Sequence, residues 1–87
     1  MIVEVQIGRV THYYTHLGVA VVQVESDGLK IGDTIHITGH TTDLTQPVES
    51  MQVEHEEIQE AKAGQDIGLK VREHVREHDI VSKVVPD

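Results

Sequence analysis

Leu29-Lys30-Ile31-Gly32-Asp33-Thr34-Ile35-His36-Ile37 sets a glycine and an aspartate between two apolar runs. The pattern returns in looser form at Ala61-Lys62-Ala63-Gly64-Gln65-Asp66-Ile67-Gly68-Leu69-Lys70-Val71. In each, a Gly followed by an Asp precedes an apolar/polar alternation, which reads as a tight turn releasing a half-buried strand. Such turns shape backbone and carry no chemistry of their own, so they speak to architecture before activity.

Outward from these turns the chain reads as strands. Residues 2–14 alternate Val3, Val5, Ile7 against Glu4 and Gln6, and Gly8 marks a bend or bulge. Thr15-His16-Leu17-Gly18 is a turn into a second strand, 19–24, apolar on both faces, and the two predict an antiparallel hairpin. After a short bridge at 29–31 comes a third strand, 34–38, and then a polar loop, 39–46. Pro47 is expected to open a fourth strand, 48–55, and residues 56–62 form the one stretch with helical character. Strands five and six span 67–71 and 80–85. This series predicts an all-β fold, a small closed six-stranded antiparallel β-barrel formed by a single domain over residues 1–87.

Composition narrows the function. The 87 residues contain no Phe, Trp or Cys, so the core must be aliphatic, and disulfide scaffolds, thiolate metal sites and cysteine nucleophiles are excluded. A formal charge of −8 opposes general attraction to phosphate backbones and anionic lipid. No stretch approaches the roughly 20 apolar residues of a membrane span. The expectation is an acidic cytoplasmic protein with no membrane partner and no non-specific nucleic-acid binding.

Chemistry-bearing residues are present without a motif that organises them. Glu54, Glu56, Glu57 and Glu60 read as a solvated rim, and Ser26, Ser50 and Ser82 lack a nucleophile elbow. The seven histidines invite a metal reading. His12 and His16 would stand roughly 13 Å apart on a straight strand at about 3.3 Å per residue, and His74 and His78 share i, i+4 spacing in a segment between strands. The histidines are therefore read as exposed groups titrating near roughly pH 6.5, with no metal site and no cofactor. Partner binding is assigned to the loop residues His40, Thr41, Thr42, Asp43 and Thr45, to Tyr13 and Tyr14, and to the cations Arg72 and Arg76. Neighbouring strand residues face opposite sides, so one tyrosine packs and the other is exposed.

Segments 29–33, 48–52 with Ser50 and Met51, and 61–68 lie in an order and spacing that resembles domain two of elongation factor Tu and its GTPase relatives. The run 30–43 is similar to small stand-alone translation-elongation-factor-like proteins. Where those barrels have Gly-Asp in the last turn, this chain has His78-Asp79. The resemblance implies a barrel of the translation-factor domain-two type whose partner is the ribosome, tRNA or a translation-factor protein. It does not bring GTPase activity, because no phosphate-binding Gly-x-x-x-x-Gly-Lys loop is present. The expected function is a non-catalytic translation-elongation-factor-like binding module. Two alternatives are a generic interaction or accessory barrel unrelated to translation and a histidine-based metal binder.

Overall fold

The structure, a computed structural model, describes residues 2–86. It contains ten strands: β1 (Ile2–Tyr14), β2 (Val19–Val24), β3 (Leu29–Lys30), β4 (Thr34–Thr38), β5 (Asp43–Pro47), β6 (Met51–Val53), β7 (Glu56–Ile58), β8 (Glu60–Ala61), β9 (Asp66–Lys70) and β10 (Ile80–Pro86). All pairings are antiparallel. Eight strands form one sheet in the order β5-β4-β10-β1-β2-β9-β6-β7, and β3 and β8 pair separately. The all-β class holds, and no helix in the described residues is long and apolar enough to cross a membrane.

The sheet has to curl. In the sheet order β5 and β6 are six places apart, about 29 Å in a flat sheet at about 4.8 Å per strand. Yet only residues 48–50 join them, a reach of about 14 Å at most. Two bulges in β1 supply the bend, one between Gln6 and Gly8 and one between Val10 and His12. The bulge expected at Gly8 is present, and a side chain there would collide with the carbonyl oxygen of Gln23 on β2. The curl encloses an aliphatic core in which Ile7, Val22, Ile35, Ile37, Leu69 and Val81 are fully shielded.

Three expectations are corrected. Among the described residues no backbone ladder joins β5 to β7, so the six-stranded barrel is not closed; the sheet keeps two edges. Gln46 ties β5 instead to the end of β9: its side-chain amide donates to Lys70 O at 3.0 Å, and its Oε1 accepts from Arg72 N at 2.8 Å. The loop expected over 39–46 is mostly strand, because Leu44 and Gln46 alternate inward with exposed Asp43, Thr45 and Pro47, which then ends β5 rather than opening a strand. Residues 56–62 are strands rather than helix, because a two-residue turn at Glu54-His55 folds β7 straight back onto β6.

Candidate functional site

Register builds the outer face of the sheet residue by residue. His12, Val21, Gly68, Gln52 and Glu57 lie opposite one another in a row across β1, β2, β9, β6 and β7. Residues directly opposite share a face, so this row is outward, and Tyr14, Val19 and Lys70 form the next outward row. Between them the inward row runs Tyr13, Ala20, Leu69, Met51 and Ile58.

The outer face is therefore apolar at its centre. Val19 and Val21 flank the backbone of Gly68, leaving a hollow of about 400 Å³ bounded by Tyr14, Leu17, Gln52 and the Glu54-His55 turn. Tyr14 is 48% exposed and Leu17 62%, large fractions for side chains of this size. The Tyr14 ring and the turn that carries Leu17 are held in place. Tyr14 packs edge-on against His12 with ring centroids 4.4 Å apart, and its carbonyl accepts from Leu17 N at 3.1 Å and Gly18 N at 2.9 Å.

Backbone strain sits on the rim of this hollow. Glu54 and His55 both have positive φ, 51° and 67°, as a two-residue hairpin turn of this hand requires. Asn-Gly is the ordinary choice for such a turn, and strained backbone of this kind clusters where function demands it. Acidic groups collect at the same end: Glu54 and Asp66 line the hollow and Glu57 faces Gln52.

The residues singled out from the sequence are dispersed. Tyr13 packs against the core and against His74 at 4.6 Å, while Tyr14 is exposed, so the two neighbours divide as expected. Arg76 joins Tyr13 and His74 at a separate shallow hollow. Arg72 is elsewhere, donating through Nε to Glu49 Oε1 at 3.0 Å, and this contact holds the Glu49 carboxyl below its ordinary pKa. His40 and Thr41 are exposed at the β4–β5 turn, Thr42 is buried with its carbonyl accepting from Gly39 N, and Thr45 is exposed opposite His36. His78 takes φ 76° in the last turn, a left-handed conformation uncommon for a residue other than glycine.

Asp43 is engaged by a residue the sequence reading treated as ordinary. His36 lies between two carboxylates, Nδ1 at 2.8 Å from Glu4 and Nε2 at 2.6 Å from Asp43. Both contacts raise the imidazole pKa above its usual 6.5, Asp43 contributing most. The expectation that all the histidines titrate alike is corrected for this one. Among the described residues no three His, Asp or Glu side chains converge to hold a metal ion.

Comparison with known proteins bears on the whole chain. It is 43% identical over 79 residues to an uncharacterized protease of Methanocaldococcus jannaschii, covering 90% of this chain and 19% of that protein. It is 40% identical over 77 residues to a collagenase of Porphyromonas gingivalis, covering 87% of this chain and 19% of the collagenase. The chain thus spans about a fifth of the length of the curated relatives it matches. Among solved structures it superposes on the C-terminal domain of a candidate U32 peptidase from Geobacillus thermoleovorans with a TM-score of 0.82 at 25% identity, covering 92% of this chain and 91% of that one. A selenomethionine form of that domain gives a TM-score of 0.81 at 24% identity, covering 87% of this chain and 95% of that one. No family model matches the chain.

These similarities overturn the resemblance to elongation-factor domain two. Its motifs were the Gly-Asp turn at 29–33, the Ala-Gly turn at 61–68 and the short segment 48–52 between them, which suit many all-β folds and do not identify a lineage. With it falls the expectation of a translation module. The expectation that the chain is non-catalytic and not an enzyme is contradicted by the same finding, since the relatives are named protease and collagenase. Of the alternatives read from the sequence, an accessory domain unrelated to translation agrees better. The hollow itself was only faintly legible: Val19 and Val21 as apolar residues at outward positions, and Gly68 in mid-strand between Ile67 and Leu69, were its sequence signals.

Proposed function

We propose that this chain is the C-terminal β-domain of a U32-type peptidase and serves that peptidase by binding polypeptide on the outer face of β2, β9 and β6. The observation that carries the reading is the 43% identity to a protease, extending over 90% of the chain. The superposition on the Geobacillus domain supports the C-terminal position. An apolar hollow with an exposed tyrosine and leucine suits a polypeptide, since aromatic and aliphatic side chains in a concave site bury surface against a partner's side chains. The curled sheet supports viewing the scaffold as a partly open barrel that holds this face rigid.

The test is deletion and replacement in the Methanocaldococcus jannaschii protease. Removing the segment that matches this chain is expected to reduce cleavage of gelatin or casein more than cleavage of a short chromogenic peptide, and substituting this chain is expected to restore protein cleavage. Equal cleavage of both substrates before and after deletion refutes the reading.

A further inference from the structure

We propose that the hollow over Gly68 seats a large apolar side chain from an extended polypeptide segment whose adjoining residue is basic. The inference rests on the polypeptide-binding reading above and goes further by naming what is bound.

Gly68 is the starting point. Of the seven glycines, Gly18, Gly28, Gly32 and Gly64 have positive φ, and Gly8 and Gly39 have another group where a side chain would lie. Gly68 has neither reason. It is paired on both sides within β9, and an added Cβ would meet a methyl of Val19, Cγ1 at 3.3 Å, which would have to give by a few tenths of an ångström, and the carbonyl oxygen of Gln52 at 3.8 Å. A glycine inside a strand loses side-chain packing and weakens the strand, and it commonly marks a place where a ligand or another backbone approaches closely. Here the missing side chain leaves the floor of the hollow between Val19, Val21 and Tyr14.

The rim supplies the second property. Glu54 and Asp66 line one side of this floor, with Glu57 further out opposite Gln52 on β7, while Lys70 is opposite Val19 on the other side. In a chain of net charge −8 this arrangement favours a basic residue at the acidic side and disfavours an acidic one. The strained Glu54-His55 turn places one of these acids on the rim, where an Asn-Gly turn would leave none. The hollow runs obliquely across the strands from Tyr14 and Leu17 to the Glu54-His55 turn, giving an extended segment a track over Gly68.

The probe is a set of short, fluorescein-labelled Gly-Ser peptides carrying a central Leu-Lys, Leu-Glu or Ser-Lys pair, titrated with the chain and followed by anisotropy. The Leu-Lys peptide is expected to bind about tenfold more tightly than either of the others, and its advantage over Leu-Glu to shrink as salt is raised. Gly68→Ala narrows the floor and is expected, in protein that a thermal melt shows to be folded, to weaken the Leu-Lys peptide about tenfold. Leu17→Ser, in an exposed turn, gives a second variant with the same expected loss if Gly68→Ala folds poorly. Equal binding of the three peptides, no binding of the Leu-Lys peptide, or unchanged affinity in a folded variant overturns the inference. Such a result with segment-dependent protein cleavage intact leaves the peptidase reading standing. Selective binding without segment-dependent cleavage removes that reading instead.

Discussion

His36 Nε2 and Asp43 Oδ1 stand 2.6 Å apart on the outer face of the β4–β5 pair, and Glu4 approaches the other ring nitrogen at 2.8 Å. A histidine that donates from both nitrogens is the imidazolium. Because its folded pKa is raised above the unfolded value of 6.5, the stabilisation is complete below about pH 6.5 and is lost as pH rises through the folded pKa. His36→Gln is therefore expected to lower the urea midpoint at pH 6 and to have a smaller effect at pH 9. An NMR titration of His36 is expected to show a midpoint above 6.5. A midpoint at or below that value refutes the arrangement.

Gln46 bonds across the gap between β5 and the end of β9 with its side chain 2% exposed. Replacing it with leucine keeps an apolar volume but leaves Lys70 O and Arg72 N without these partners. Both bonds are part-buried and a net hydrogen bond contributes about 0.5–1.5 kcal/mol, so Gln46→Leu is expected to destabilise by about 1–2 kcal/mol in a denaturant melt. The control is Thr45→Ala at the adjacent exposed position. Equal stability of the two variants would show that the bridge contributes nothing.

The Glu54-His55 turn holds two non-glycine residues at positive φ. Left-handed backbone costs a residue with a side chain roughly 1–2 kcal/mol. The double variant Glu54→Asn/His55→Gly is expected to raise the melting temperature by several degrees, about 1–2 kcal/mol in all, since these residues favour the turn. Calorimetry measures this directly, and a decrease would mean that the side chains of the natural turn contribute more than their strain costs.

Arg72 and Glu49 meet at 3.0 Å with side chains 54% and 49% exposed. Exposed pairs of this kind are weak and salt-screened. Arg72→Ala is expected to leave the melting temperature unchanged at physiological salt. A large loss would show that the backbone of residue 72, which bonds to Gln46, depends on this side chain for its position.

Strand content was legible where β-branched residues alternate with polar ones over a buried face, as in Thr34–Thr38. The bulge at Gly8 was equally local, because it follows from what one residue's backbone tolerates. Residues 43–47 and 56–61 were misread because Asp, Thr, Pro and Glu have turn, loop or helix preferences that pairing to β4, β6 and β3 overrides.

Local pattern determined that this chain is antiparallel β with an aliphatic core, since side-chain alternation and turn residues are properties of neighbours in sequence. What lies opposite what was decided only by the tertiary register. A shift of one residue would exchange the inward and outward faces, and register alone puts Gly68 beside Val21 and Gln52. The pairing of His36 with Glu4 and Asp43, 32 and 7 residues away, arises the same way, from strands brought together by a curl that no single segment encodes. The hollow and the charged triad therefore belong to the folded sheet, while the strands that compose them belong to the sequence.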